Sequence, residues 1–141
     1  MKLVRDALSI ALVISGWLGI EILANDAWLW SAAPSHAYGL MVFVAIDLIL
    51  ALALFVKINL ATIGAGLISM TQLAAMMADS AVGQPQGISS SVFSMYLYSD
   101  TAYVTLLIVQ VTILLVAAVP TAISLLHKHG RPTFFAHAQP R

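Results

Sequence analysis

The stretch 37-AYGLMVFVAIDLILALALFV-56 decides how this chain folds. From Ala37 to Val56 it carries a single charge, Asp47, and at ~1.5 Å of rise per residue it matches the ~30 Å hydrocarbon thickness of a bilayer. After Lys57 the pattern starts again as 58-INLATIGAGLISMTQLAAMM-77, so two apolar helices joined almost directly must form a tight antiparallel hairpin. Working outward, Ala7 to Ala24 follows Lys2 and Arg5. Ala102 to Leu126 ends at His127, Lys128, His129 and Gly130, with Pro132 as a stop signal. A basic start before an apolar run also describes a signal peptide, but no clear A-x-A site follows it, so an uncleaved helix is expected.

The sequence therefore predicts an all-α integral membrane protein, a four-helix transmembrane bundle forming a single domain over 1–141. Its helices are expected at about 7–24, 37–56, 58–77 and 102–126, with outer loops at 25–36 and 78–101 and a tail at 127–141. Composition agrees: 61% hydrophobic and 9% charged residues lie far outside soluble usage. The second loop holds Gly83, Gln84, Pro85, Gln86, Gly87 and a serine run, followed by apolar and aromatic Val92 to Tyr98. That piece is expected to be ordered, lying along the membrane surface or packing over the helix ends. Trp28, Trp30 and Tyr38 read as interfacial anchors of the same belt.

Cations give the orientation. Lys2, Arg5, Lys57, Lys128, Arg131 and Arg141 are all of the Lys and Arg, and four spans put every one of them on one side. Under the positive-inside rule that side is cytoplasmic, so both termini are expected in the cytoplasm of a cell with this multi-pass protein in its plasma membrane. Six cations in a chain of zero net charge supply no basic stripe, which argues against nucleic acid as a partner. The absence of cysteine removes disulfides, thiolate nucleophiles, iron-sulfur ligation and Cys-type zinc sites.

Polar residues at membrane depth are the informative ones. Asp47 lies ~15 Å from the Lys57 boundary, near the bilayer centre, where an ionised Asp costs ~2.5–3.5 kcal/mol on insertion scales. It is expected to face protein, neutral, and to donate to Ser69 or to the Val116 carbonyl that Pro120 leaves without its usual partner. Counting from the inner helix ends also places Ser15 at this depth. Glu21, Gln72 and Gln110 fall into a second layer ~23 Å from the inner side, suited to one interhelical cluster. Ser15 with Gly19, and Ala61, Ala65 and Ser69 with Gly64 and Gly66, form small-residue faces for close helix contact, either within the chain or with a partner.

Catalytic signals are absent from the sequence. His36 lies at the outer end of the second helix and His127 and His129 at the inner end of the fourth, too far apart to share one haem. His127, His129 and His137 do not match a metal cage, and the simpler reading is cations at a helix C-terminus. His36, Asp26, Asp79 and Asp100 make a loose outer set that reads as solvated surface groups. No GxSxG elbow, Walker loop or dinucleotide fingerprint occurs. No catalytic residue, metal ligand or cofactor is predicted in this chain. The expected partners are membrane lipids and other integral membrane subunits, as in an accessory subunit of a respiratory oxidase or other membrane oxidoreductase. The alternative is a small homo-oligomeric proton-coupled transporter using Asp47.

Overall fold

The apolar runs become four long helices because an apolar solvent gives each backbone no better partner than itself. The structure, a computed structural model, describes residues 2–58, 60–82 and 87–129. In chain order the helices are α1 Lys2–Asn25, α2 Ala27–Ala32, α3 Pro34–Phe55, α4 Leu60–Val82, α5 Ser90–Ser99 and α6 Thr101–His129. Among the described residues there is no strand. Helices α1, α3, α4 and α6 are each long and apolar enough to cross a membrane.

These helices exceed the apolar runs at most ends. The runs measure the length that needs an apolar solvent, whereas a helix continues through flanking polar residues. Lys2, Arg5 and Asp6 extend α1, and Pro34 starts α3 earlier than expected because its fixed φ suits the first helical position. Both segments expected as loops contain helix. Asp26 caps α2 by accepting from the Leu29 amide at 2.8 Å. The piece Val92–Tyr98, expected to be ordered, lies within α5, which packs on α4 and α6 with Phe93 and Leu97 buried. The tail beyond His129 and most of the Gly83–Gly87 turn fall outside the described residues.

The long helices stand in a ring in which α1 packs on α3, α3 on α4, α4 on α6 and α6 on α1. Buried positions recur at three- and four-residue spacing, as Leu8, Leu12, Ser15, Gly19 and Ile22 on α1, or Leu106, Gln110, Ile113 and Ala117 on α6. That spacing is the seam of left-handed bundles. Helices α2 and α5 lie across one end, hereafter the capped end. Trp28 of α2 stacks against Phe93 and Tyr96 of α5, with ring centroids 5.9 and 4.3 Å apart, so not every aromatic of the expected belt is an anchor. Trp30, Tyr38 and Tyr98 do face outward.

Inside, three layers follow one another. At the uncapped end Leu8, Leu12, Leu54, Ala65 and Ile113 form an apolar cluster, and at the capped end Ile22, Leu29, Ala37, Met76 and Leu106 form another. Between them lie Ser15, Asp47, Ser69, Gln72 and Gln110, all buried. The outer surface is the reverse, with Trp17, Ile49, Leu52, Leu67, Met70 and Leu115 exposed. The small-residue faces are used within the chain: Gly64 lies against Leu50, and Gly66 against Ala117.

The hairpin turn is closed at Lys57, whose φ of 69° is left-handed. The Ile58 amide donates to the Ala53 carbonyl and the Lys57 amide to Leu54, at 2.9 and 3.0 Å, which is the Schellman closure of a helix C-terminus. A non-glycine residue there costs about 1–2 kcal/mol, which the register of α3 on α4 must offset.

Helices α1 and α3 approach each other closely at Gly19. A Cβ added at Gly19 would sit 2.4 Å from Val44 Cγ2, a branched atom with little freedom to move, whereas one added at Gly39 would meet nothing within 4 Å. Gly19→Ala is therefore expected to destabilise the protein by about 1–3 kcal/mol and Val44→Ala to restore much of the loss. Gly39→Ala should be neutral or stabilising by up to about 1 kcal/mol. Reversible unfolding in mixed micelles checks this; equal effects at the two glycines would contradict the packing.

Candidate functional site

Two polar assemblies are built by this architecture, one at mid-bundle and one beneath the cap. At mid-bundle, α3 presents Asp47 inward and α1 presents Ser15 directly opposite. Ser15 Oγ donates to Asp47 Oδ2 at 2.5 Å. Gln110 on α6 donates from Nε2 to Ser15 Oγ at 2.6 Å and to Asp47 Oδ2 at 3.3 Å. The three side chains are 0–1% exposed. Helices α3 and α6 are opposite each other in the ring and make no close backbone approach among the described residues, so Gln110 ties them across the middle.

This differs from the pairing expected from depth. Asp47 accepts, and neither Ser69 nor the Val116 carbonyl is its partner. Ser69 Oγ is fully buried without a hydrogen bond, as are Gln72 Oε1, Gln110 Oε1 and Asp47 Oδ1. The expected cluster of Glu21, Gln72 and Gln110 does not form. Gln110 belongs with Asp47, and Glu21 is exposed on the outer surface of α1. Depth was counted without rotation: six residues past Ser15, at 100° per residue, turns Glu21 roughly 240° away from the seam. The expected depth of Gln110 failed for a second reason. Leu126 does not stand level with Lys57: Gln110 is sixteen residues from the one and Asp47 ten from the other, yet their side chains meet, so counting from Leu126 placed the glutamine too far from the layer it joins.

Beneath the cap lies a half-open cavity of ≈ 330 Å³ between the bundle helices and α2 and α5. The loose outer set converges here, since Asp26, His36, Asp79 and Asp100 all line it. His36 Nε2 is 3.2 Å from Asp79 Oδ1. Asp26 joins the cap helices by accepting from Tyr96 Oη at 2.5 Å as well as capping α2. Asp100 Oδ1 accepts from the Ala102 amide at 2.8 Å and so starts α6. Tyr103 closes the wall by donating to the Met76 carbonyl at 3.1 Å. Burial first, and then the bond to Asp26, hold the Tyr96 phenol protonated well above its ordinary range.

These acids, read as solvated surface groups, are half-buried and bonded within the cap. Their convergence was not visible in the sequence because it depends on α5 folding back over the bundle, bringing Tyr96 to Asp26. A second cavity, lined by Glu21, Asn25, Ser99 and Asp100, adjoins the first through Asp26 and Tyr96. Among the described residues no three His, Asp or Glu side chains converge as metal ligands. Of the C-terminal histidines considered for metal, His137 lies outside the described residues.

Comparison with known protein families, characterised proteins and solved structures gives no match. The site is read from its own chemistry. At mid-bundle that chemistry is hydrogen bonding among buried side chains, and beneath the cap it is an acidic, aromatic-walled chamber that reaches the layer at Gln72.

Asp47→Leu strands the Ser15 hydroxyl and the Gln110 amide in a buried layer and is expected to destabilise the bundle by about 1–3 kcal/mol. Asp47→Asn keeps an acceptor facing Ser15 and should cost less than about 1 kcal/mol. Thermal unfolding in lipid nanodiscs compares them, and a leucine variant as stable as the parent would contradict the arrangement.

Proposed function

We propose that the chain is a noncatalytic accessory subunit of a larger membrane-embedded complex, of the respiratory oxidase or other membrane oxidoreductase class. In this reading it sits in the plasma membrane with both termini cytoplasmic and the capped end outside. The orientation draws on the cations: Lys2, Arg5 and Lys57 lie at the uncapped end, and the remaining three follow the apolar part of α6. The observation that carries the functional reading is the engagement of Asp47 by Ser15 and Gln110 of its own bundle. A carboxyl engaged through Oδ2 by internal bonds, on a helix packed tightly against Gly16 and Gly19 of α1, suits a rigid packing element. The outward apolar chains, Trp17, Leu52, Leu67 and Leu115 among them, are available to lipid and to neighbouring subunits.

One observation favours a second reading, a homo-oligomeric proton-coupled transporter. The cavity beneath the cap reaches Phe43, one helical turn from Asp47, and so approaches the carboxyl from one side. Purification in mild detergent separates the two. The subunit reading predicts cofractionation with redox-active membrane proteins; a stable homodimer as the sole species would contradict it.

A further inference from the structure

The mid-bundle layer holds more buried oxygen than its own donors satisfy. Asp47, Ser69, Gln72 and Gln110 are 0–2% exposed, yet each has one buried oxygen without a hydrogen bond: Asp47 Oδ1, Ser69 Oγ, Gln72 Oε1 and Gln110 Oε1. Buried polar atoms in this state are rare and carry an uncompensated desolvation cost. Ser69 is the clearest case. Thr71, Thr105 and Thr112 each donate to the carbonyl four residues back, whereas the Ser69 hydroxyl makes no such bond.

These residues share one level of the bundle. Asp47 and Gln110 meet across the diagonal of the ring, between α3 and α6, through Oδ2 and Nε2. Ser15 of α1 bonds to both of those atoms from one side. On the other side of the diagonal stands α4, which packs on both α3 and α6 and turns Ser69 and Gln72 inward. Contacts along α4 give the register. Tyr103 bonds to Met76 and Gly66 abuts Ala117, so α4 and α6 run antiparallel and Gln72 falls opposite the turn that carries Gln110. Gly64 abuts Leu50, which sets Ser69 level with Ala45, two residues or ~3 Å from Asp47.

The chemistry of the four atoms is uniform. Two amide oxygens and a carboxylate oxygen accept, and a hydroxyl oxygen accepts as well. A single water would bring two hydrogens to three obligate acceptors, whereas a hard cation takes electron pairs from all four. Oxygens gathered round one cation also stand further apart than hydrogen-bonded ones, which suits groups that are level yet unbonded. One carboxylate with three neutral oxygens balances a single positive charge, and the buried polar residues include no Lys, Arg or His among those described. A divalent ion would leave excess charge in a low-dielectric layer.

We propose that this layer binds a small monovalent cation, sodium, through Asp47 Oδ1, Ser69 Oγ, Gln72 Oε1 and Gln110 Oε1. The ion ties α4 into the network that already joins α1, α3 and α6. Its approach is from the capped end, where Gln72 also lines the chamber. The assignment goes beyond the subunit reading and stands whether or not the chain has partner subunits.

Thermal unfolding of the full chain in nanodiscs of zwitterionic lipid tests it, with sodium chloride replacing choline chloride from about 1 to 300 mM at constant ionic strength. The midpoint is expected to rise with sodium, and potassium to give a smaller rise. Asp47→Asn should fold in choline and lose the sodium response, whereas Asp6→Asn at the opposite end should keep it. Gln72→Leu, one oxygen fewer, should need about fivefold to tenfold more sodium for the same rise. The ion series on the unmodified chain decides the matter even where a variant does not fold. Equal midpoints in sodium and choline would assign the layer to water or to a proton on Asp47 and overturn the proposal. So would an equal rise with potassium, or a sodium response that survives Asp47→Asn and disappears in Asp79→Asn, which would move the ion to the chamber.

Discussion

The grip of Ser15 and Gln110 on Asp47 is the constraint around which the bundle is arranged. A carboxyl in the middle of an apolar helix must be turned away from an apolar solvent, and only one rotation of α3 does so. Fixing that rotation fixes α1, because Ser15 has to meet the carboxyl. Gly16 and Gly19 then fall against Leu48 and Val44, and at Gly19 a larger residue would press on a valine with little freedom to yield. It also fixes α6, since Gln110 must reach across the ring. The apolar clusters above and below supply packing that many sequences could provide; the polar layer selects one register among them.

The two ends of the molecule divide the remaining work. At the uncapped end the chain reverses through Lys57 with almost no loop, and small residues on α4 let α3 and α6 each approach α4 closely. The capped end is built from polar and aromatic bonds instead. Asp26 caps α2 and holds Tyr96, Trp28 packs on α5, and His36 meets Asp79. This leaves a chamber under a lid whose own hydrogen bonds keep it in place. An end closed by such bonds frames a cavity, while the end closed by methyl groups is packed solid.

Much of the helical architecture was legible because it rests on local properties. Apolar run length gave the four long helices, Lys57 gave the turn, and the aromatic pattern of Val92 to Tyr98 marked a piece that had to be ordered. Depth was partly legible as well: Ser15 and Asp47 do share a layer. Rotation was not, since a count along the chain carries no record of which face meets which neighbour, and so Glu21 was grouped with residues it does not touch. The capped chamber was least legible. Its acids come from α2, α4 and the start of α6, and nothing local to Asp26 indicates that a tyrosine of α5 will bond to it.

The central claim is that Asp47 and Gln110 are energetically coupled across the bundle. A double-mutant cycle, Asp47→Ala and Gln110→Ala singly and together, measured as unfolding free energy in one bilayer composition, tests it most directly. Coupling of about 0.5–1.7 kcal/mol is predicted, the upper part of the range for hydrogen bonds between membrane helices. Additive effects, with the double variant losing the sum of the single losses, would contradict the account.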